Sequence, residues 1–388
     1  MKVLLVGEYS RLHNSLKEGL KSLGHEAHIV GSGDKFKNFP VDFSISPKFL
    51  RSYTLLQFVN KISLRLFHFN LEDIERGFRF YKLLPTLKNY DVVQLINTDA
   101  LRTFPSWEIL LFKKLFFQNG KIALLICGED TPIIEVLLKN NLKYSVLTPY
   151  LENKKLKLEF RYSLKYISER YRKLFDFVSS NCNSCIASDL DYKIPLEQTS
   201  YHFHFIPNPI NIDKIQHNSN PIIDEIVIFH GINALSAIKK GNHFFEKALE
   251  KISKLYADKI KIITVTSIPY SEYEQKLNQA HIVLDQVYGF DQGYNALEAM
   301  AKGKVVFTGA EKEFLEHYNL QEDEVAINAL PDVDYLVRKL SFLIENPNHI
   351  KNIGDNARRF IENKHDYKKI AKEYVTTWES SVSFLNKE

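Results

Sequence analysis

Short runs of leucine and β-branched residues that stop at a glycine, each followed by helical spacing, constrain this chain more than any other feature. Residues 2–6 (KVLLV) end at Gly7, after which Leu12, Leu16, Leu20 and Leu23 share one helical face up to Gly24. The next run, 27–30, ends at Gly31. Strand, helix and strand in that order make a βαβ unit, whose strands run parallel. Further strands are predicted at 91–96 (DVVQLI) and 121–127 (KIALLIC), with shorter apolar runs at 175–178 and 184–187. From 225 the alternation restarts, with strands at 225–229, 261–265, 282–284 and 305–307 and helices at 244–255, 271–279 and 294–301. IPNPINID (206–213), with two prolines that each remove a backbone donor, reads as a linker. The expected fold class is α/β: two Rossmann-like doubly wound domains, 1–205 and 206–366, facing a central cleft, with 367–388 supplying a C-terminal helix (367–384) that crosses back to the first domain.

A chain of 388 residues suits two or three domains, and 45% hydrophobic with 25% charged residues is a soluble composition. No apolar run reaches the roughly 18 residues that span a bilayer, and MKVLLVGEYS is too short in apolar residues for a secretory signal. A cytoplasmic protein is expected. Cys127, Cys182 and Cys185 are too few for a disulfide framework, and one Cys-x-x-Cys without a second pair does not complete a zinc site. The net charge of +4 is too weak to point to nucleic acid.

In open α/β sheets, ligands bind beyond the carboxyl ends of the strands, where helix N-termini favour anions. The first such loop, GEYSRLHNSL (7–16), has one glycine and lacks the dinucleotide pattern G-x-G-x-x-G. There Gly7 allows close approach to the backbone, and Arg11, His13 and Asn14 are polar candidates for the cleft; ordinary exposed turn residues are the alternative. In FHGINALSAIKKGNHFF (229–245), a glycine turn at Gly231 precedes Lys239, Lys240 and Gly241 at a helix start. A point charge beside free N–H groups suits a diphosphate. In YGFDQGYNALEAMAKGKVVFTG (288–309), Gly289 and Gly293 flank an acidic turn. A helix starts near Tyr294, and Glu298, one turn in, is placed to accept hydrogen bonds from a ribose diol. Among the middle strands, Asn97 and Asp99 follow DVVQLI, and Glu129 and Asp130 follow LLICG. Asp130 before Thr131-Pro132 equally suits a helix cap. His68, His202 and His204 have no partner readable from the sequence.

IPNPINID, the HG…KKG loop and GYNALEAMAKGKVV, in that order, make residues 206–309 resemble the GT-B glycosyltransferases, specifically the large retaining family 4 (glycosyl transferases group 1). The resemblance implies a retaining transferase with a nucleotide-diphosphate sugar as donor, a glycan or lipid-linked acceptor, and no metal or other cofactor. It implies that Glu298 holds the donor ribose, that Gly293, Tyr294 and Asn295 offer backbone contacts, and that Lys240, or else Lys239, meets the leaving diphosphate, with Gly231 in the same loop. The N-terminal half matches in layout, which makes Gly7, Arg11, His13, Asn97 and Glu129 acceptor-side candidates and Asp130 a catalytic one. Two positions depart from the family pattern. The usual sugar-contacting Glu is Phe290, with Asp291 or Asp285 as substitutes, and the usual diphosphate-binding Arg is Ile232. A nucleotide-sugar-binding protein without activity and a sugar epimerase of the same fold therefore stand as alternatives.

No acidic residue lies between Asp42 and Glu72, where Lys48, Arg51, Lys61 and Arg65 interleave with Phe49, Leu55, Phe58, Ile62 and Leu66. Residues 154–175 carry eight basic residues against Glu159 and Glu169, among several aromatics. Such helices either cover a sheet while their basic heads snorkel or lie on an anionic membrane surface. The second reading predicts peripheral contact with the inner membrane face.

Overall fold

A computed structural model describes residues 1–34, 39–67, 69–218, 221–222 and 224–380. His68 and the last four residues of the expected 367–384 helix lie outside the described residues. The N-terminal sheet comprises β1 (Lys2–Val6), β2 (Glu26–Gly31), β3 (Phe43–Ser44), β4 (Val92–Leu95), β5 (Lys121–Ile126), β6 (Ser184–Ala187) and β7 (His204–Phe205). Their order is β3-β2-β1-β4-β5-β6-β7, and every pairing is parallel, as in Leu4 opposite His28 on one side and Val93 on the other. The C-terminal sheet orders β8 (Ile226–Ile232), β9 (Ile260–Thr266), β10 (Ile282–Leu284), β11 (Val305–Thr308) and β12 (Ile327–Asn328) as β12-β11-β10-β8-β9, again all parallel. The expected α/β class and paired doubly wound sheets are therefore what the chain forms. Central strands are buried on both faces, so they read as near-continuous apolar runs, interrupted in β4 by the buried Gln94.

Each sheet reverses direction once, between β1 and β4 and between β8 and β10. Crevices open at those two points. Two local expectations are corrected. Residues 175–178 belong to helix Glu169–Asn181, where Leu174, Phe175 and Val178 form a buried helical stripe; a four-residue apolar run does not distinguish the two periods. Segment 206–213 is no slack linker. Ile210 bridges Asp366 in parallel, its N–H donates to His365 O at 2.7 Å, and Ile206, Asn208, Ile210 and Asn211 are buried.

The final helix, Tyr367–Ser380, lies against helix Leu12–Ser22 of the N-terminal domain, burying Tyr374 and Trp378. Trp378 Nε1 donates to Gln94 Oε1 at 3.1 Å, and Lys121 Nζ donates to Trp378 O at 2.8 Å. Trp378→Phe keeps an aromatic six-membered ring but removes the indole N–H and the five-membered ring, which orphans a buried amide oxygen and leaves a void, a loss of at least about 1–3 kcal/mol. A lowered thermal midpoint with unchanged far-UV circular dichroism is the expected outcome.

Candidate active site

The first crevice is built on Gly7, which sits at φ 90°, where an added Cβ would collide with Ile96. His13 does not face the cleft as expected. It is fully buried, with Nδ1 2.7 Å from Gly7 O and Nε2 3.2 Å from Gln94 Nε2. A carbonyl only accepts, so Nδ1 carries the proton and Nε2 accepts from the amide. Burial lowers this imidazole to about 4, keeping it neutral. Trp378, Gln94, His13 and Gly7 thus form one relay from the last helix to the first loop.

Other N-terminal candidates also prove structural. Asp130 caps helix Thr131–Leu138: its carboxylate accepts from Thr131 N–H at 2.8 Å, Thr98 N–H at 2.9 Å and Thr98 Oγ1 at 2.6 Å, leaving no role as a base. Asn97, buried at the end of β4, accepts from Tyr9 Oη at 3.2 Å. Asp99 pairs with Lys165 at 2.5 Å. Glu129 does face the cleft, where Lys239 Nζ reaches it from the other domain at 2.7 Å and Ser163 Oγ at 2.6 Å. Arg11, at φ 73°, lies close enough to Glu298 to favour its charged form.

Between the domains lies a cavity of about 320 Å³. Ser10 and Tyr192 line it from the N-terminal side, and Gly231, Ser236, Lys240, Tyr270, Gln286 and 293–295 from the C-terminal side. Gly231 is not the expected turn. It lies within β8, where a side chain would meet the Tyr273 ring. Lys240 Nζ pairs with the buried Asp285 at 2.7 Å, and Thr308 Oγ1 donates to the other oxygen of Asp285 at 3.3 Å. Helix Tyr294–Ala301 starts at Gly293, so its first N–H groups lack intrahelical partners, and Gly293, Tyr294 and Asn295 line the same cavity as Lys240. One turn in, Glu298 accepts from Tyr270 Oη at 3.0 Å, and burial raises its pKa against the pull of Arg11.

The expected sugar-contacting substitute, Asp291, is elsewhere. It is buried in the seam between domains, accepting from Leu190 N–H at 3.1 Å and Gln292 N–H at 2.7 Å. Phe290 packs in the C-terminal core near Tyr144. Sequence reasoning missed Tyr270, Tyr273, Ser267 and Gln286, which line the cavity; the signal was IPYSEY immediately after a strand.

It also missed Glu8, buried directly after Gly7. Asn14 donates to its Oε2 through the backbone at 2.9 Å and the side chain at 2.6 Å. Desolvation nevertheless raises the acid to about 8. A raised acid favours the folded state most below its unfolded pKa near 4.5, and that advantage is lost as pH rises through about 8. Glu8→Gln should therefore gain stability relative to wild type progressively from pH 4.5 to 8. Denaturant titrations across that window check this; a pH-independent difference contradicts it.

Residues 239–376 match the family described as glycosyl transferase-like, a stretch that includes Lys239, Lys240, Glu298 and the cavity-facing helix. No curated protein matches the sequence. Among solved structures, HepE of Anabaena in complex with UDP and glucose superposes with a TM-score of 0.58 at 14% identity, over 98% of this chain and 100% of HepE. Sucrose-phosphate synthase of Thermosynechococcus elongatus gives 0.56 at 12% identity, over 98% and 99%. A candidate UDP-N-acetylglucosamine 2-epimerase of Listeria monocytogenes gives 0.52 at 11%, over 99% and 98%. The C-terminal segment 239–376 thus matches a glycosyl transferase-like family, and the chain as a whole shares the two-sheet GT-B fold of these structures.

Proposed function

We propose that the chain is a retaining glycosyltransferase that moves a sugar from a nucleotide-diphosphate sugar to a hydroxyl acceptor in polysaccharide or lipid-linked glycan assembly, at the inner face of the cell membrane. The observation that carries this is the convergence of Lys240, the N-terminus of helix Tyr294–Ala301 and the Glu298–Tyr270 pair on one interdomain cavity. The donor diphosphate lies across Gly293–Asn295 with Lys240 beside it, the ribose diol donates to Glu298, and the base rests against Ile268 and Tyr270. The acceptor oxygen bonds to the sugar's anomeric carbon as the bond to the diphosphate breaks, and the hydroxyl proton passes to the departing phosphate. Negative charge grows on the leaving group, where Lys240 and aligned N–H groups stabilise it without a metal ion. Asp285 holds Lys240 in place. With Asp291 in the seam and Phe290 in the core, sugar hydroxyls fall to the amides of Gln286 and Asn295.

Lys240→Ala should lower kcat on the order of 10²-fold, as for loss of one preorganised donor, and Glu298→Ala should act mainly on donor KM. A thermal-shift screen of UDP-, GDP-, ADP- and dTDP-sugars identifies the donor; UDP-sugars come first, because HepE holds UDP. Phosphate-ester release with and without acceptor then reads activity. The buried apolar Phe290 favours one competing reading, a nucleotide-sugar-binding protein without turnover. Donor binding with neither transfer nor slow hydrolysis would establish that reading; conversion of a free nucleotide sugar without acceptor would establish an epimerase.

A further inference from the structure

A larger concavity, of about 1040 Å³, opens in the N-terminal domain, and the donor reaction leaves it unused. Helix Thr54–Phe67 and helix Leu71–Leu83 contribute one wall, the loop after β4 the floor, and residues 155–171 the opposite wall. Six cations line it: Arg76, Arg102, Lys155, Lys157, Arg161 and Lys165. The acids there are Asp73 and Asp99, and each is engaged, Asp99 by Lys165 at 2.5 Å and Asp73 by Arg76. Arg102 also meets Asp34 at 3.8 Å and Arg76 meets Glu72 at 3.7 Å, so the uncompensated charge of the concavity is that of its other three cations. Lys155, Lys157 and Arg161 are exposed at its rim and form no ion pair among the described residues. Charge of one sign in a concave wall concentrates the field on an anion.

Neighbouring residues link the concavity to the donor cavity. Tyr9 packs under Arg102, with the guanidinium 4.3 Å from its ring centre, and the next residue, Ser10, lines the donor cleft. On the other wall, Ser163 accepts from Lys239 at 2.5 Å, next to Lys240. A second property of the site is apolar. On helix Thr54–Phe67, Leu55, Phe58 and Leu66 are 71%, 61% and 65% exposed, and Leu64 of the same helix lines the concavity opposite the exposed Leu158. This helix therefore does not cover the sheet. An apolar face free of acidic residues beside a cationic basin matches an amphiphile with an anionic head.

We propose that this concavity is the acceptor subsite and takes the phosphate or diphosphate headgroup of a membrane lipid, with helix Thr54–Phe67 lying in the bilayer interface. The assignment as acceptor rests on the transferase reading above; the lipid-phosphate site itself does not. The test is co-sedimentation of the full chain with phosphatidylcholine vesicles with and without phosphatidylglycerol, with inorganic pyrophosphate as soluble competitor. Wild type should bind the anionic vesicles selectively, and pyrophosphate should displace it. Lys155→Gln, Lys157→Gln and Arg161→Gln combined should weaken that binding by at least about tenfold, since each cation near an anionic surface is worth roughly fivefold. Leu55→Ser, Phe58→Ser and Leu66→Ser combined should lose the vesicles yet keep pyrophosphate affinity. Both variants should retain the nucleotide-sugar thermal shift of wild type, which verifies their folding. Vesicle binding indifferent to the charge substitutions overturns the proposal, as does pyrophosphate binding without vesicle binding in wild type. Selective vesicle binding in a protein that never turns over a donor removes the transferase reading and leaves the lipid-phosphate site standing.

Discussion

Two carboxylates exchanged across the domain seam hold the cleft in shape. Asp191, from the N-terminal domain, accepts from Phe290 N–H at 2.7 Å, and Asp291, from the C-terminal domain, accepts from Leu190 N–H at 3.1 Å. Each domain caps a loop of the other. Asp291 is buried and Asp191 half-buried, and desolvation raises both carboxyls above the usual range despite these bonds. Removing either acceptor would leave a backbone N–H unsatisfied in the interior, so the two loops stay in register. Helix Tyr294–Ala301 inherits that register: Tyr294 Oη donates to Pro209 O at 2.8 Å and lies 2.6 Å from Ser15 Oγ. Its N-terminus is therefore positioned by the opposite domain as much as by its own sheet.

The C-terminal helix extends the same logic. By returning to the first domain it brings Trp378 to Gln94, and through Gln94 to the imidazole that supports Gly7. Chain connectivity then ties the second domain to the N-terminal one at two places, the pinned segment around Ile210 and this helix. Movement of the domains is confined to what these two attachments allow.

Much of the scaffold was legible in the sequence because buried parallel strands and amphipathic helices leave strong local patterns. Residues 282–284 and 294–301 fall on β10 and on helix Tyr294–Ala301 without adjustment, while β3, β7 and β12, two residues each, are too short to show a period. The site was legible only in part. Lys240, the Gly293 turn and Glu298 lie in two motifs of one half of the chain, and the fold places them around one cavity. His13, Asp130 and Asp291 have the right chemistry at strand ends, but their roles are set by partners distant in sequence: Gln94 for His13, Thr98 for Asp130 and Leu190 for Asp291. Burial reverses the meaning of a polar residue, and burial is a tertiary property.

Lys239 and Lys240 show the same limit at the scale of one peptide bond. Adjacent residues project in different directions, so one lysine crosses the cleft to Glu129 and Ser163 while the other turns inward to Asp285. Each charge is balanced by a carboxylate, at 2.7 Å in both pairs. On the transferase reading, an incoming diphosphate competes with a carboxylate for Lys240 in a cavity also lined by the start of helix Tyr294–Ala301, while Asp285, held by Thr308, remains to orient the ammonium. Lys239 does not line that cavity. Its contacts with Glu129 and Ser163 instead tie the first domain to the loop that carries Lys240.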